Sequence, residues 1–228
     1  MALTIITGSG INADVQVQSD RTHQALRTST RPLEYYVGNI VGGHYSVGAM
    51  TGLMTAGIAS AAEVFQIRWA DPVKLFILKK LTVQCSTATG FAATSQGAPL
   101  ELIIGHGSTS NGSGGGAVSP SSISNRLRSS MAPSAFVTSG RIGISTTAAL
   151  TAAGGQTLEP ATVANCMGAD NRTLVSTPVM NLYEQRDIGS HPLVIAQGDT
   201  LVVRTNTPAA TGTWYAAFSM EWVEAIAY

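Results

Sequence analysis

Trp214-Tyr215-Ala216-Ala217-Phe218-Ser219-Met220-Glu221-Trp222-Val223-Glu224 is the stretch whose reading decides the fold. Trp214, Ala216, Phe218, Met220 and Trp222 share one parity, which Ile226 continues, and Tyr215, Ser219 and Glu221 fall on the other. Side chains of a strand point alternately to its two faces, so a period of two predicts a half-buried strand. Aromatic rings bury the most apolar area per residue, and at alternate positions they predict that this end of the chain is fastened into a sheet. The spacing sets the two tryptophans and Phe218 on one face with Ala216 and Met220, as core anchors and not as a sugar-stacking platform.

Upstream, Leu193 to Arg204 is a second β-rich run, interrupted at Gln197-Gly198-Asp199, where glycine accepts positive φ and aspartate can bond its own backbone. Pro208 and Gly212 mark the next reversal. Val64-Phe65-Gln66-Ile67-Arg68-Trp69 alternates, Asp71-Pro72 supplies a turn, and Lys74 to Val83 continues as a strand, which together predict a hairpin. Phe91 to Ile104 predicts two further short strands, and Arg141 to Thr146 restores alternation before Gly154-Gly155 turns the chain. Between Gly38 and Gly57 glycine recurs every few residues. Each costs a helix about 1 kcal/mol relative to alanine, so short twisted strands are predicted, with a helical turn competing over Gly52 to Ala62. Residues 156 to 180 are polar and Ala-rich, an irregular connection across the end of a sandwich. These runs predict an all-β fold, an antiparallel two-sheet sandwich, with a jelly roll as the specific expectation. A β-barrel or an immunoglobulin-like sandwich fits the composition nearly as well, although the Cys-Trp-Cys pattern of the latter is missing.

The chain has 228 residues, enough for one large domain. Residues 1–40 are polar and unevenly patterned and are expected to form an N-terminal arm, with 41–228 as a single sandwich domain. Val15 and Val17 suit one short strand. Ser19 to Pro32 has too little apolar surface to order itself alone, so it either pairs with a neighbouring subunit's sheet or packs as a strand on its own domain. Charged residues make up 11%, against roughly 25% in ordinary soluble domains, as suits a surface covered by neighbours. Thirteen basic and thirteen acidic side chains cancel, which argues against nucleic acid or anionic membrane as partners. Cys85 and Cys166 lie far apart and are expected as reduced, partly buried thiols. The start lacks a basic, apolar leader and no apolar span reaches about eighteen residues, so synthesis in the cytoplasm as a soluble chain is expected.

No catalytic pattern is found. His23, His44, His106 and His191 have no metal-ligand spacing, and each is expected as a lone surface or capping histidine. Gly105 to Gly116 lacks the Gly-Lys-Ser/Thr of a phosphate loop and predicts a flexible surface loop, in which Ser113 has no nucleophile elbow. Acidic residues are scattered, and Glu221 and Glu224 are expected at an exposed strand edge and end. No enzyme activity, metal or cofactor is expected. The one local charge imbalance runs from Glu101 to Glu159, an interval with no acidic residue that contains Arg126, Arg128 and Arg141. Arg126 and Arg128 suit a short Ser-capped helix, and the three arginines suit either an ordinary solvated stretch or docking onto carboxylates of another protein. With Arg21, Arg27, Arg31, Tyr35 and Tyr36 of the arm they are the candidate contacts to other protein subunits.

The succession of Gly43-His44-Tyr45-Ser46-Val47, Gly52-Leu53-Met54-Thr55-Ala56-Gly57, Val64 to Trp69 and Lys80-Leu81-Thr82-Val83 continues with Arg141-Ile142, Leu150-Thr151-Ala152, Pro192 to Asp199 and Ser219 to Glu224. It resembles a group of tailed-phage virion structural proteins over most of the chain after residue 40. The resemblance implies a β-sandwich that decorates or cements the head. The leading expectation is a capsid cement protein on the virion exterior, partnered by the major capsid protein and by itself as a closed oligomer, with a trimer favoured. A tail or head-fibre adhesin reading a host glycan through loops 105–120 and 156–180 is the alternative. A cupin-like enzyme lacks the closely spaced histidines its metal needs.

Overall fold

The computed structural model describes residues 16–20, 23–27, 41–55, 61–89, 98–118, 133–136, 140–143, 150–169, 175–186, 191–205 and 212–226. These contain no helix and sixteen strands. In chain order they are β1 (Gln16–Asp20), β2 (His23–Arg27), β3 (Val41–Met50), β4 (Met54–Thr55), β5 (Ala62–Arg68), β6 (Leu75–Thr89), β7 (Ala98–His106) and β8 (Gly116–Val118). There follow β9 (Gly140–Ile142), β10 (Thr157–Leu158), β11 (Ala164–Ala169), β12 (Val175–Ser176), β13 (Met180–Glu184), β14 (Leu193–Ile195), β15 (Thr200–Thr205) and β16 (Thr213–Ala225).

Two antiparallel sheets make the sandwich and neither closes into a barrel. In the first, β16 lies between β3 and β6, while β14, β13 and β12 follow one another along the far edge of the fifteen-residue β6. In the second, the order is β8-β9-β5-β15-β7, with β10 and β11 sharing the far edge of β7. The main strands therefore stand as β3-β16-β6-β13/β14 facing β5-β15-β7-β11, the double Greek-key order of a jelly roll.

The core explains why β16 holds the centre. Trp214, Ala216, Phe218, Met220 and Trp222 are all buried, as their parity predicts. Trp222 stacks on Tyr45 and on Phe76, each at 5.6 Å, and lies perpendicular to Phe136 at 5.5 Å. Phe65 and Phe218 stack at 5.0 Å and join the two sheets. A register shift at Glu221/Trp222 against β6 ends the simple alternation. Beyond it Val223, Glu224 and Ala225 are all buried, and Ile226, expected on the core parity, is 45% exposed. Glu224 therefore occupies neither an edge nor an exposed end.

Several local expectations change. Val64 to Trp69 and Lys74 to Val83 do not form a hairpin, because β5 and β6 lie in different sheets. The Asp71 carboxylate accepts from the N–H groups of Val73 and Lys74 at 2.8 and 2.7 Å, and buried Trp69 packs on Phe76, so the turn carries the chain across the core. The turn at Gly198, where φ is 85°, also crosses between sheets. The two crossings are bonded together, Gly198 N–H to the Trp69 carbonyl and Trp69 N–H to the Asp199 carbonyl, at 2.8 and 2.9 Å.

The segment after His106 is no free loop. Ser108 N–H bonds the Gly198 carbonyl, Thr109 N–H bonds the Gly154 carbonyl, and Ser113 and Thr151 exchange bonds in both directions. With residues 150–156 it covers the outer face of β5, so Ala62 to Ile67 are buried on both faces where alternation was expected. Phe91 to Ile104 yields one described strand, β7, and 91–97 lie outside the described residues. The irregular connection over 156–180 contains β10, β11 and β12, held by backbone pairing to β7 and β6. Gly52 to Ala62 contains β4 and the start of β5, with 56–60 undescribed.

Of the expected arm, β1 and β2 pair in register from Gln16↔Arg27 to Asp20↔His23, a hairpin instead of one strand. Backbone pairing organises it where apolar content does not. Among the described residues the hairpin joins neither large sheet.

Candidate functional site

Where both sheets run out on one side, β3 is the last strand of the first and β8 the last of the second. Between them lies a cavity of about 340 Å³, lined by Val47 to Met50, Gly116 to Val118 and Ile142. No charged side chain lines it. Met50 is 64% exposed at its rim. Thr51 N–H bonds the Ala216 carbonyl, so its same-parity neighbours Ala49 and Val47 also turn their backbone groups toward β16. The N–H and carbonyl groups of Gly48 and Met50 consequently face outward, where no described strand pairs with them. An uncharged, proline-free edge of this kind is a template for another strand.

Of the expected contact residues, Arg141 is described. It lies on β9 between Gln66 of β5 and Ala117 of β8, half-buried, with its Nε buried and lacking a hydrogen-bond partner. It therefore flanks the groove wall formed by β8. Arg27 ends β2 opposite Gln16. Arg21, Arg31, Tyr35, Tyr36, Arg126 and Arg128 lie outside the described residues, as does the helix expected around Arg126.

The expectation of a lone His106 is corrected. Its Nδ1 meets Asp199 Oδ1 and its Nε2 meets Glu159 Oε1, each at 2.9 Å, which clasps the end of β7 to the β14–β15 turn and to the segment after β10. The hydrogen bond with Glu159, then that with Asp199, raises the imidazole pKa above its ordinary 6.5, burial opposes them, and the charges of Asp199 and Glu159 add to the rise. Both ring nitrogens are engaged, so neither is offered to a substrate for proton transfer. Its partners are far away in sequence, and no local motif could have disclosed them.

Glu63 lies beneath the covering loop. Its Oε1 accepts from Gln156 Nε2 at 2.9 Å, while its Oε2 and the Gln156 Oε1 are buried without partners. Burial raises its pKa, against which the Gln156 hydrogen bond and the Arg204 charge pull only in part. Arg204 itself donates to Glu101 at 2.8 Å. Cys85 and Cys166 are free thiols, as expected, and burial, with a smaller contribution from Cys166, pushes the Cys85 pKa up to about 12. Such a thiol stays protonated and unreactive at neutral pH. Among the described residues no cluster of His, Cys, Asp and Glu could hold a metal ion.

Comparison of the chain with protein-family models, curated proteins and solved structures finds no match in any of the three.

Proposed function

We propose that this chain is a structural component of a tailed-phage virion, a capsid cement or decoration protein that binds the outer surface of the head and stabilises it through protein–protein contacts. The observation that carries this reading is the uncharged groove between the edges of β3 and β8, with Met50 exposed at its rim and Arg141 on the adjoining strand. A sheet edge that offers backbone groups and small apolar side chains suits a protein neighbour. The low charge content of the chain supports the same conclusion, because a surface this weakly solvated is best kept covered. In this reading the protein is not an enzyme, its partners are the major capsid protein and further copies of itself, and a closed ring such as a trimer matches the symmetry of a head lattice. The three tryptophans, Trp69, Trp214 and Trp222, are all buried, which removes them as a stacking platform for glycans and favours cement over adhesin.

Cryo-electron microscopy of virions that contain this chain tests the proposal. Density for the sandwich on the outer lattice of the head supports it, and density confined to a tail tip or fibre overturns it in favour of the adhesin.

A further inference from the structure

We infer that the outer edge of β3 at Val47 to Met50 is a β-augmentation site whose occupant is the β1–β2 hairpin of a second copy of this chain. The argument starts from two incomplete structures. A two-stranded hairpin is at best marginally stable in water, and β1–β2 pairs with no other described strand. The edge of β3, for its part, presents the outward backbone groups of Gly48 and Met50 beside an uncharged groove, with no charge or proline to repel a partner. Each supplies what the other lacks: the hairpin brings a strand edge, and the edge of β3 brings outward backbone groups and the exposed Met50 side chain.

Connectivity selects a second copy. Residues 28–40 join β2 to the start of β3, a tether that spans up to about 45 Å at roughly 3.4 Å per residue. That reach covers the groove on the same chain, yet among the described residues of the single chain the hairpin joins no edge of the sandwich. The same reach lets the hairpin leave its own sandwich for a neighbour's. If each copy gives its hairpin and receives one, a cyclic oligomer closes with every such edge covered. The inference rests on the proposed reading only in taking this chain to assemble with itself, and it is tested in solution apart from any virion.

The test uses the full-length chain and its mass across a dilution series by sedimentation equilibrium. Met50→Pro deletes an outward N–H and no bond to β16, which edge strands tolerate. Met50→Lys places a charge at the 64% exposed rim, where folding is indifferent to it. The expected result is a concentration-dependent oligomer whose association weakens by roughly tenfold or more in both variants, with thermal midpoints within a few degrees of wild type. A monomer at every concentration overturns the inference, as does an oligomer that neither variant weakens. In a Cys166→Ser background, chains carrying Met50→Cys are then mixed with chains carrying Gln18→Cys or Gln24→Cys and treated with a short thiol cross-linker. A product containing both chains supports exchange. Its absence overturns the hairpin as occupant, as does a control chain carrying Met50→Cys and Gln18→Cys together that cross-links only within itself. Failure here with sandwich density on the head would leave the cement reading standing; success with tail-tip density would remove that reading alone.

Discussion

The Ser134 hydroxyl donates a hydrogen bond to Glu224 Oε1 between two buried side chains, and it binds a segment from the middle of the chain to the last strand. The same carboxylate accepts from Ala135 N–H at 3.0 and 3.1 Å, from Lys74 Nζ at 3.2 Å and from Trp222 Nε1 at 3.3 Å. It thereby fixes Pro133 to Phe136 over the end of the sandwich, with the Phe136 ring perpendicular to Trp222. A buried charge is tolerated when its lone pairs are filled in this way, and its removal strands the donors.

Glu224→Ala is accordingly expected to cost about 3 kcal/mol in urea unfolding, because Ser134, Ala135 and Trp222 all lose a buried acceptor. Glu224→Gln keeps one carbonyl oxygen for them and is expected to cost roughly half as much. Lys74, whose side chain is 24% exposed, can turn to water in either variant. Equal losses in the two variants would show that charge, and not acceptor geometry, sets the cost.

His106 gives stability a pH dependence of definite sign. Its folded pKa lies above the unfolded value near 6.5, so the native state holds a proton that the unfolded state has released within that window. The stabilisation is fully present below about pH 6.5 and is lost as pH rises through the folded pKa. With the imidazole 51% exposed, solvent screening limits the contribution to about 1 kcal/mol at most. The difference in thermal midpoint between wild type and His106→Gln is expected to shrink from pH 5.5 to pH 8.5. A difference that is constant or grows with pH would reject the clasp.

How much of this was legible in the sequence depends on the range of the interaction. The period of two from Trp214 to Trp222 is set by the strand itself and was readable, and so was the two-sheet class. Asp71-Pro72 and Gln197-Gly198-Asp199 announced turns, but turn chemistry is local and does not tell a hairpin from a crossing between sheets. Trp69 on Phe76 settles that, by packing that no spacing displays. Glu224 was misread because its Ser134 and Lys74 partners lie 90 and 150 residues away. The groove was missed because an edge is defined by a missing neighbour, which only topology reveals. One signal did point to it: Tyr35 to Ala62 contains no Asp, Glu, Lys or Arg, so β3 lacks the charges that usually protect an edge.

Glu63→Gln is expected to be neutral or stabilising by about 1 kcal/mol at neutral pH, an unusual outcome for a buried residue. The amide keeps an acceptor for Gln156 Nε2 and adds a donor that can meet the unpaired Gln156 Oε1. It also removes a carboxylate whose charged form is penalised by burial. Arg204 retains Glu101. In wild type the raised folded pKa of Glu63 means that its stabilising contribution is complete below about 4.5 and is lost as pH rises through the folded value. Denaturant midpoints from pH 4 to 8 should show that component in wild type and not in the variant. A loss above about 2 kcal/mol at pH 7 would mean that the Glu63–Arg204 attraction outweighs the burial penalty.

Gly115 tests whether the glycine-rich segment is pinned or free. Its φ is +55°, and a Cβ there would stand 2.2 Å from the Ile142 carbonyl oxygen, a backbone atom of β9 that cannot swing aside. Gly107 has φ +75°, but its nearest obstacle is the Gly155 carbonyl oxygen at 3.7 Å, an ordinary contact. Gly107→Ala should therefore cost only the backbone strain, about 1 kcal/mol. Gly115→Ala adds a clash that must displace β8 from β9, and about 3 kcal/mol in total is expected. Because β8 forms one wall of the groove, Gly115→Ala should also speed amide exchange at Gly116 to Val118, while Gly107→Ala leaves that exchange unchanged. Equal and small costs at both positions would mean that residues 107–115 yield freely, as a solvent-exposed linker would.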